Sequence, residues 1–201
     1  MPFAESRGNF LPVIEPELLL GAYARGIFPM AMPEGEIGWF SPDPRGVLPL
    51  EGFHVPHGLA RRLRKNPFEI RINTAFAEVM RGCAQREETW IDAEITASYQ
   101  RLHELGFAHS VETWREERLV GGLYGVSLGG VFFGESMFHR ETDASKVALN
   151  ALILRMKERG FALLDIQWIT PHLATFGAAE IPRKEYLRQL RAAIQKECTF
   201  Q

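Results

Sequence analysis

Apolar and polar positions recur with two different periods along the chain, and each change of period marks a new element. Phe68-Glu69-Ile70-Arg71-Ile72 alternates with period two and predicts a strand. Three more runs, 108–114, 118–126 and 130–138, are separated by the polar Arg115-Glu116-Glu117 and by a glycine turn near Gly129, which predicts an antiparallel meander. A final run, 161–169, is mostly apolar and reads as a strand buried on both faces. Helical spacing predicts helices over 16–25, 58–65, 74–82, 93–105 and 143–159, with a short one at His172 and a last one opening at Pro182. Asp143 is placed to cap the fifth of these, Gly106 and Gly160 stop the fourth and fifth, and Pro67 ends the second.

Composition divides the chain unevenly. Nine of its 12 prolines precede residue 57, so 1–56 reads as a small loop-rich N-terminal subdomain and 57–201 as the main domain. With 201 residues, 46% of them apolar, the chain has the mass for one sizeable core. No run approaches the ~18 apolar residues of a membrane span, and no basic stretch opens an export signal. The two cysteines, Cys83 and Cys198, form neither a disulfide framework nor a metal pair, so a reducing cytoplasm is expected. A net charge of -2 excludes a surface that binds nucleic acid all over. It leaves room for a local patch, and the helix at 58–65 carries Arg61, Arg62, Arg64 and Lys65 without an acid. Those cations read either as phosphate contacts or as a solvated helix face.

Three polar residues interrupt apolar strands. Asp165 and Gln167, two apart on the last strand, leave the same face, and burying both requires a hydrogen-bonded network or an active-site floor. Glu135 sits inside the aromatic run Phe132-Phe133-Gly134-Glu135-Ser136-Met137-Phe138, where an acid fits recognition of an amine, a shifted general base, or a core ion pair to Arg140 or Lys146. The six histidines show no metal spacing, and Ser136 lacks a triad context. The element order is that of an α+β, acyl-CoA N-acyltransferase-type (GNAT-like) fold: a mixed, mainly antiparallel sheet flanked by helices. The stretch His139-Arg140-Glu141-Thr142-Asp143-Ala144-Ser145, however, lacks the glycines that hold a CoA pyrophosphate.

Seven segments in order carry a closer resemblance: Gly26-Ile27-Phe28-Pro29, Trp39-Phe40-Ser41-Pro42-Asp43-Pro44-Arg45, Thr89-Trp90-Ile91, Ala108-His109-Ser110-Val111-Glu112, Leu119-Val120-Gly121-Gly122-Leu123-Tyr124-Gly125-Val126, Gly134-Glu135-Ser136-Met137-Phe138 and Leu164-Asp165-Ile166-Gln167. Together they resemble the leucyl/phenylalanyl-tRNA–protein transferases, over about residues 16–190. The resemblance implies a cytoplasmic aminoacyltransferase that moves Leu or Phe, and Met less well, from aminoacyl-tRNA to the N-terminal Arg or Lys of a protein, marking it for N-degron proteolysis. It implies no metal and no CoA. Asp165 and Gln167 would be the catalytic pair, Gln167 orienting the amine and ester while Asp165 polarises that amide and assists proton removal. Glu135 would position the acceptor or the aminoacyl adenosine. Trp39, Trp90, Leu123, Tyr124, Phe132, Ser136 and Met137 would line the substrate pocket, and Arg61, Arg62, Arg64 and Lys65 would hold the tRNA. The partners implied are aminoacyl-tRNA and proteins with N-terminal Arg or Lys, with no membrane, and a monomer is expected. The chain departs from the family where Asn9-Phe10-Leu11-Pro12 replaces a Gly-Gly-Asp-Leu stretch, where Met30 replaces an aromatic, and in an early C-terminal stop. These departures leave open a shifted specificity. The competing readings are a CoA-dependent N-acyltransferase and a binding module without turnover.

Overall fold

The computed structural model describes residues 12–65, 68–86 and 88–201; the expectations placed on Pro67 and on Asn9, Phe10 and Leu11 fall outside them. The described chain opens with α1 (Pro16–Tyr23), where Pro16 takes a first-turn position that needs no N–H. A hairpin follows, β1 (Phe28–Ala31) with β2 (Ile37–Phe40), then β3 (Arg45–Val47), α2 (His57–Lys65), β4 (Glu69–Ile72), α3 (Phe76–Ala84) and α4 (Ala93–Glu104). The expected meander is β5 (Ala108–Arg115), β6 (Arg118–Leu128) and β7 (Val131–His139). The chain ends with α5 (Ala144–Glu158), β8 (Leu163–Gln167), α6 (Pro171–Ala174), β9 (Ala179–Ile181) and α7 (Arg183–Ile194).

Seven strands form one sheet in the order β4-β5-β6-β7-β8-β3-β9, antiparallel throughout except where β7 meets β8. The pleat sends consecutive residues to opposite cores: Phe133 and Leu163 to one, Phe132 and Leu164 to the other. The first core is covered by α1, α3, α4 and α7 through Tyr23, Met80, Ile95, Tyr99 and Leu190. The second is covered by α5 through Val147, Leu149, Leu152, Ile153 and Met156, with Leu59 of α2 and Phe200 beside them. Each such side chain contributes about 1.5–3 kcal/mol by leaving water.

Parts of the segment 1–56, expected as a small subdomain, pack with the rest of the chain. β3 lies between β8 and β9 in the main sheet, and Leu19, Tyr23 and Phe28 pack into the first core. A three-residue strand has too few positions to show a period, which is why β3 and β9 left no sequence signal. The helix expected from Thr74 begins at Phe76, and the two residues that lead into it are held from a distance. The buried Glu112 of β5 accepts from the backbone N–H groups of Thr74 and Ala75, both at 2.9 Å, and from Ser110 Oγ at 2.8 Å. Asp143 precedes α5 but makes no cap bond, pairing instead with Lys146 at 2.8 Å and Arg62 at 3.5 Å.

Three irregularities open the sheet. The parallel pair β7–β8 lasts only from Val131↔Leu163 to Phe133↔Asp165; beyond it β7 stays with β6 while β8 pairs with β3, and the two strands part. On β7, Gly134 opposes Gly125 and Ser136 opposes Tyr124, leaving Glu135 as the extra residue of a bulge. Only glycine fits at Gly125, since a Cβ there would lie 2.2 Å from the Phe133 carbonyl oxygen. At the end of β8, Gln167 has φ 58°, and the Trp168 N–H donates to the Ile166 carbonyl at 2.7 Å, a γ-turn of the strained hand.

Candidate active site

The gap between the parted strands holds a cavity of about 300 Å³ that reaches both faces of the sheet. On the α5 side its walls are aliphatic: Leu123, Leu149, Leu152, Leu164 and Ile166. On the other side they are aromatic and polar, with Phe28, Met30, Trp90, Tyr124 and Trp168 around Glu135 and Gln167. An apolar pocket with a few convergent polar groups is the usual form of a small-molecule site.

The bulge turns Glu135 towards α1 and α4. Its carboxyl accepts from the Tyr23 hydroxyl at 2.7 Å and, more loosely, from Tyr99 Oη and Gln167 Nε2, each at 3.4 Å. The two phenols also bond one another. Burial raises the Glu135 pKa to about 8; the Tyr23 hydrogen bond pulls against that rise and the negative Asp165 adds to it. Tyr23 and Tyr99 are pushed well above 10, chiefly by burial, and stay protonated donors. A carboxyl that titrates near neutral pH beside fixed donors is suited to exchanging a proton with an amine.

Asp165 occupies a different position from the one expected. It is fully buried and does not line the cavity. Its four acceptor positions are filled: Oδ1 by Arg45 Nε and the Gln167 backbone N–H, both at 2.9 Å, and Oδ2 by Arg45 Nη2 at 2.7 Å and Tyr186 Oη at 2.6 Å. Arg45, itself wholly buried, gives its remaining nitrogen to the Gly26 carbonyl at 3.0 Å and lies over the Tyr186 ring. Asp165 therefore grips the backbone of Gln167 rather than its amide, and has no lone pair left for a substrate proton. Gly46 completes this support. A Cβ there would lie 2.9 Å from the Trp168 carbonyl carbon, so only glycine lets β3 close on the turn that presents Gln167.

Of the expected pocket residues, Trp90, Leu123, Tyr124, Ser136 and Met137 line the cavity. Trp39 and Phe132 do not. Trp39 stands on the outer strand of the hairpin, opposite Pro29 and 41% exposed, while Phe132 is buried against Phe200 in the second core. The alternative of a core ion pair for Glu135 fails, because Arg140 bonds the Leu119 carbonyl and Lys146 pairs with Asp143. Arg61, Arg62 and Lys65 share a second, polar cavity with Gly58 and Asp143; Arg64 is exposed outside it. No group of three or more His, Cys, Asp or Glu capable of holding a metal occurs among the described residues.

Sequence comparison supplies the family. The profile described as leucyl/phenylalanyl-tRNA protein transferase matches residues 47–191, and that of the same family's N-terminal domain matches 13–43. The chain belongs to this family. The leucyl/phenylalanyl-tRNA–protein transferase of Akkermansia muciniphila is 57% identical over 92% of this chain and 98% of its own. That of Herpetosiphon aurantiacus is 55% identical over 93% and 98%. A GCN5-related N-acetyltransferase-like protein from Streptococcus suis aligns with 82% of this chain and 63% of its own, at 15% identity and a TM-score of 0.42. No helix among the described residues is long and apolar enough to cross a membrane.

In this transferase-family chain the cavity joins the two matched stretches: Phe28 and Met30 come from the first and Glu135 and Gln167 from the second, while Tyr23 of the first supports Glu135 and Arg45, from the short gap between them, supports Asp165. Tyr23, Tyr99, Arg45, Tyr186, Arg86 and Trp168 were not foreseen as site residues. Arg86 follows α3 and clasps the far side of the bulge, donating to Ser136 Oγ at 3.0 Å and to the Met137 carbonyl at 2.5 Å. Trp168 is 43% exposed at the cavity rim, set edge-on to Phe28 with centroids 5.1 Å apart. A signal for Trp168 did exist, since a large aromatic stands directly after the polar pair.

Proposed function

We propose that the chain transfers Leu or Phe, and Met less well, from aminoacyl-tRNA to the α-amine of a protein's N-terminal Arg or Lys, working as a cytoplasmic monomer where charged tRNA is present. The observation that supports this reading best is the two-ended cavity, with an aliphatic slot joined at Glu135 and Gln167 to an aromatic mouth. In this reading the donor's side chain lies among Leu123, Leu149, Leu152, Leu164 and Ile166. Such a slot excludes charge but separates Met from Leu by only about 1–3 kcal/mol. Trp90 and Trp168 flank the terminal nucleoside, and Arg61, Arg62, Arg64 and Lys65 contact phosphates of the acceptor stem without reading sequence.

An aminoacyl ester is already activated, so aminolysis requires orientation, exclusion of water and a proton acceptor. Glu135 takes the proton that the attacking amine sheds. Gln167, bonded to Glu135, orients that carboxyl and the incoming amine. Asp165 is a positioning residue: with Arg45 and Tyr186 it fixes the γ-turn that aims Gln167. The C–N bond forms as the ester C–O bond breaks, and the proton passes from Glu135 to the departing 3′ oxygen, so no covalent enzyme intermediate is required.

The test is incubation with labelled Leu-tRNA and Phe-tRNA and with peptides beginning Arg, Lys, Asp or Glu. Label on the Arg and Lys peptides is expected. Label confined to acidic N-termini would refute the acceptor assignment, and no transfer from either tRNA would refute the reading as a whole.

A further inference from the structure

We propose that the Tyr124 phenol donates a hydrogen bond to the ester carbonyl oxygen of the donor as negative charge develops there during attack by the amine. The inference rests on the aminoacyl-transfer reading above. Tyr124 stands on β6 opposite Ser136, at the edge of the bulge that carries Glu135, and lines the same cavity. Its hydroxyl is wholly buried and has no hydrogen-bond partner among the described residues. The neighbouring phenols differ, since Tyr23 and Tyr99 both bond Glu135. A buried hydroxyl left unpaired carries its full desolvation cost, so such a group next to a reaction centre asks for a partner that arrives with the substrate.

Two other donors at the cavity are already engaged. Gln167 Nε2 faces Glu135, and Arg86 Nη2 is held by Ser136 Oγ and the Met137 carbonyl. Tyr124 carries the one wholly buried hydroxyl of the lining that has no partner among the described residues. Its ring is fixed edge-on between Tyr99, with centroids 5.8 Å apart, and Phe76, at 5.9 Å, so packing rather than substrate sets its direction. Burial also raises its pKa well above 10, which keeps the proton on the oxygen.

The chemistry balances without loss of that proton. The amine lone pair forms the C–N bond, the carbonyl π pair moves onto oxygen, and the amine proton goes to Glu135. The oxygen's pair then returns, the C–O3′ bond breaks, and the leaving oxygen takes the proton. Tyr124 contributes only a preorganised dipole where charge appears, the arrangement by which oxyanion holes act.

Tyr124→Phe removes one hydroxyl and nothing else. Single-turnover transfer from Leu-tRNA to an Arg-initiated peptide should slow by about 10²–10³-fold, with KM for the aminoacyl-tRNA within threefold of the wild type. The urea midpoint should stay level or rise, because an orphaned polar group has gone. A transfer rate within threefold of the wild type overturns the proposal, as does a rise in KM alone. A lowered urea midpoint does so too, since it would show that the hydroxyl has a partner within the protein. If the wild type itself transfers nothing, the reading of the reaction fails first and takes this proposal with it.

Discussion

Glu135→Gln keeps the shape of the buried carboxyl and removes its charge, and its consequences follow in sign and size. The folded carboxyl has a pKa of about 8 against an ordinary 4.5, so between those values the folded state holds a proton that the unfolded chain has released. Stability therefore falls as pH rises from about 4.5 to 8 and levels off above. The full span is on the order of 3–5 kcal/mol, a large share of the ~5–15 kcal/mol of an ordinary domain. The glutamine variant lacks this penalty. Its urea-unfolding free energy should be close to that of the wild type near pH 5 and exceed it progressively towards pH 9. The transfer rate should move the other way. At pH 7 roughly one Glu135 in ten is ionised, so the wild-type single-turnover rate should climb through pH 8. An acceptor α-amine titrates at about 7.7–8.0 and also contributes to that climb. The variant should retain only the amine's share, at a rate lower by about 10²–10⁴. Parallel stability curves for the two proteins between pH 5 and 9 would refute the raised pKa. An unchanged rate would remove Glu135 as the base.

Other outcomes test neighbouring links. Asp165→Asn breaks a fully buried pair and leaves Arg45 without its counter-charge, so unfolding should become easier by about 3–5 kcal/mol, read from the urea midpoint; a loss of activity with full stability would instead favour direct participation of Asp165. Trp168→Ala should raise KM for aminoacyl-tRNA by about 5–150-fold while leaving kcat unchanged, since stacking on a base is worth about 1–3 kcal/mol. Leu152→Phe narrows the aliphatic end of the cavity and should lower transfer of Phe relative to Leu by about tenfold or more in a competition between the two charged tRNAs. Neutralising Arg61, Arg62 and Lys65 together should flatten the plot of log affinity against log salt by a slope of about 2–3, and an unchanged slope would move the tRNA face elsewhere.

Periodic elements were legible because a face buried along its whole length writes its period into the chain. The meander, the last central strand and α5 are of this kind, and so is the interruption at Glu135, where an acid breaks an aromatic strand. The partners of that acid were not legible. Tyr23 lies 112 residues from Glu135, and Arg45 lies 120 from Asp165; neither spacing has a local trace. Asp165 illustrates the limit. Its burial was inferable from the apolar run around it, but whether a buried carboxylate reacts or braces depends on how many donors reach it, and those donors come from β3, α7 and the γ-turn. The pair was read as one unit because both residues leave the same face, whereas packing gives them different partners and leaves only Gln167 at the cavity.

The same packing shows how a strained, costly site can persist. Gln167 at φ 58° and a carboxyl protonated far above its ordinary range each weaken the folded state locally. Both sit where β7 and β8 have parted, so the β7–β8 ladder does not hold them. Much of the restraint comes instead from the chain's first 50 residues, alongside Tyr99 of α4 and Tyr186 of α7. Tyr23 of α1 binds the Glu135 carboxyl, Arg45 of β3 binds the carboxylate beneath Gln167, and Gly46 lets β3 approach the turn closely enough to fix it. The proline-rich opening of the chain is thus not an appendage to a catalytic domain but the part that fills the split in its sheet. Damage to the contact between β3 and the γ-turn should therefore be felt in catalysis more than in β5 and β6. A side chain at position 46, as in Gly46→Ala, would push on the Trp168 backbone at 2.9 Å and tilt Gln167 away from Glu135, while Val111 and Leu152 of the second core are not among the atoms it would meet. Transfer should fall by at least tenfold, while the amide exchange protection of β5 and β6 stays at wild-type levels. Equal losses in both would mean that β3 supports the whole sheet rather than the site.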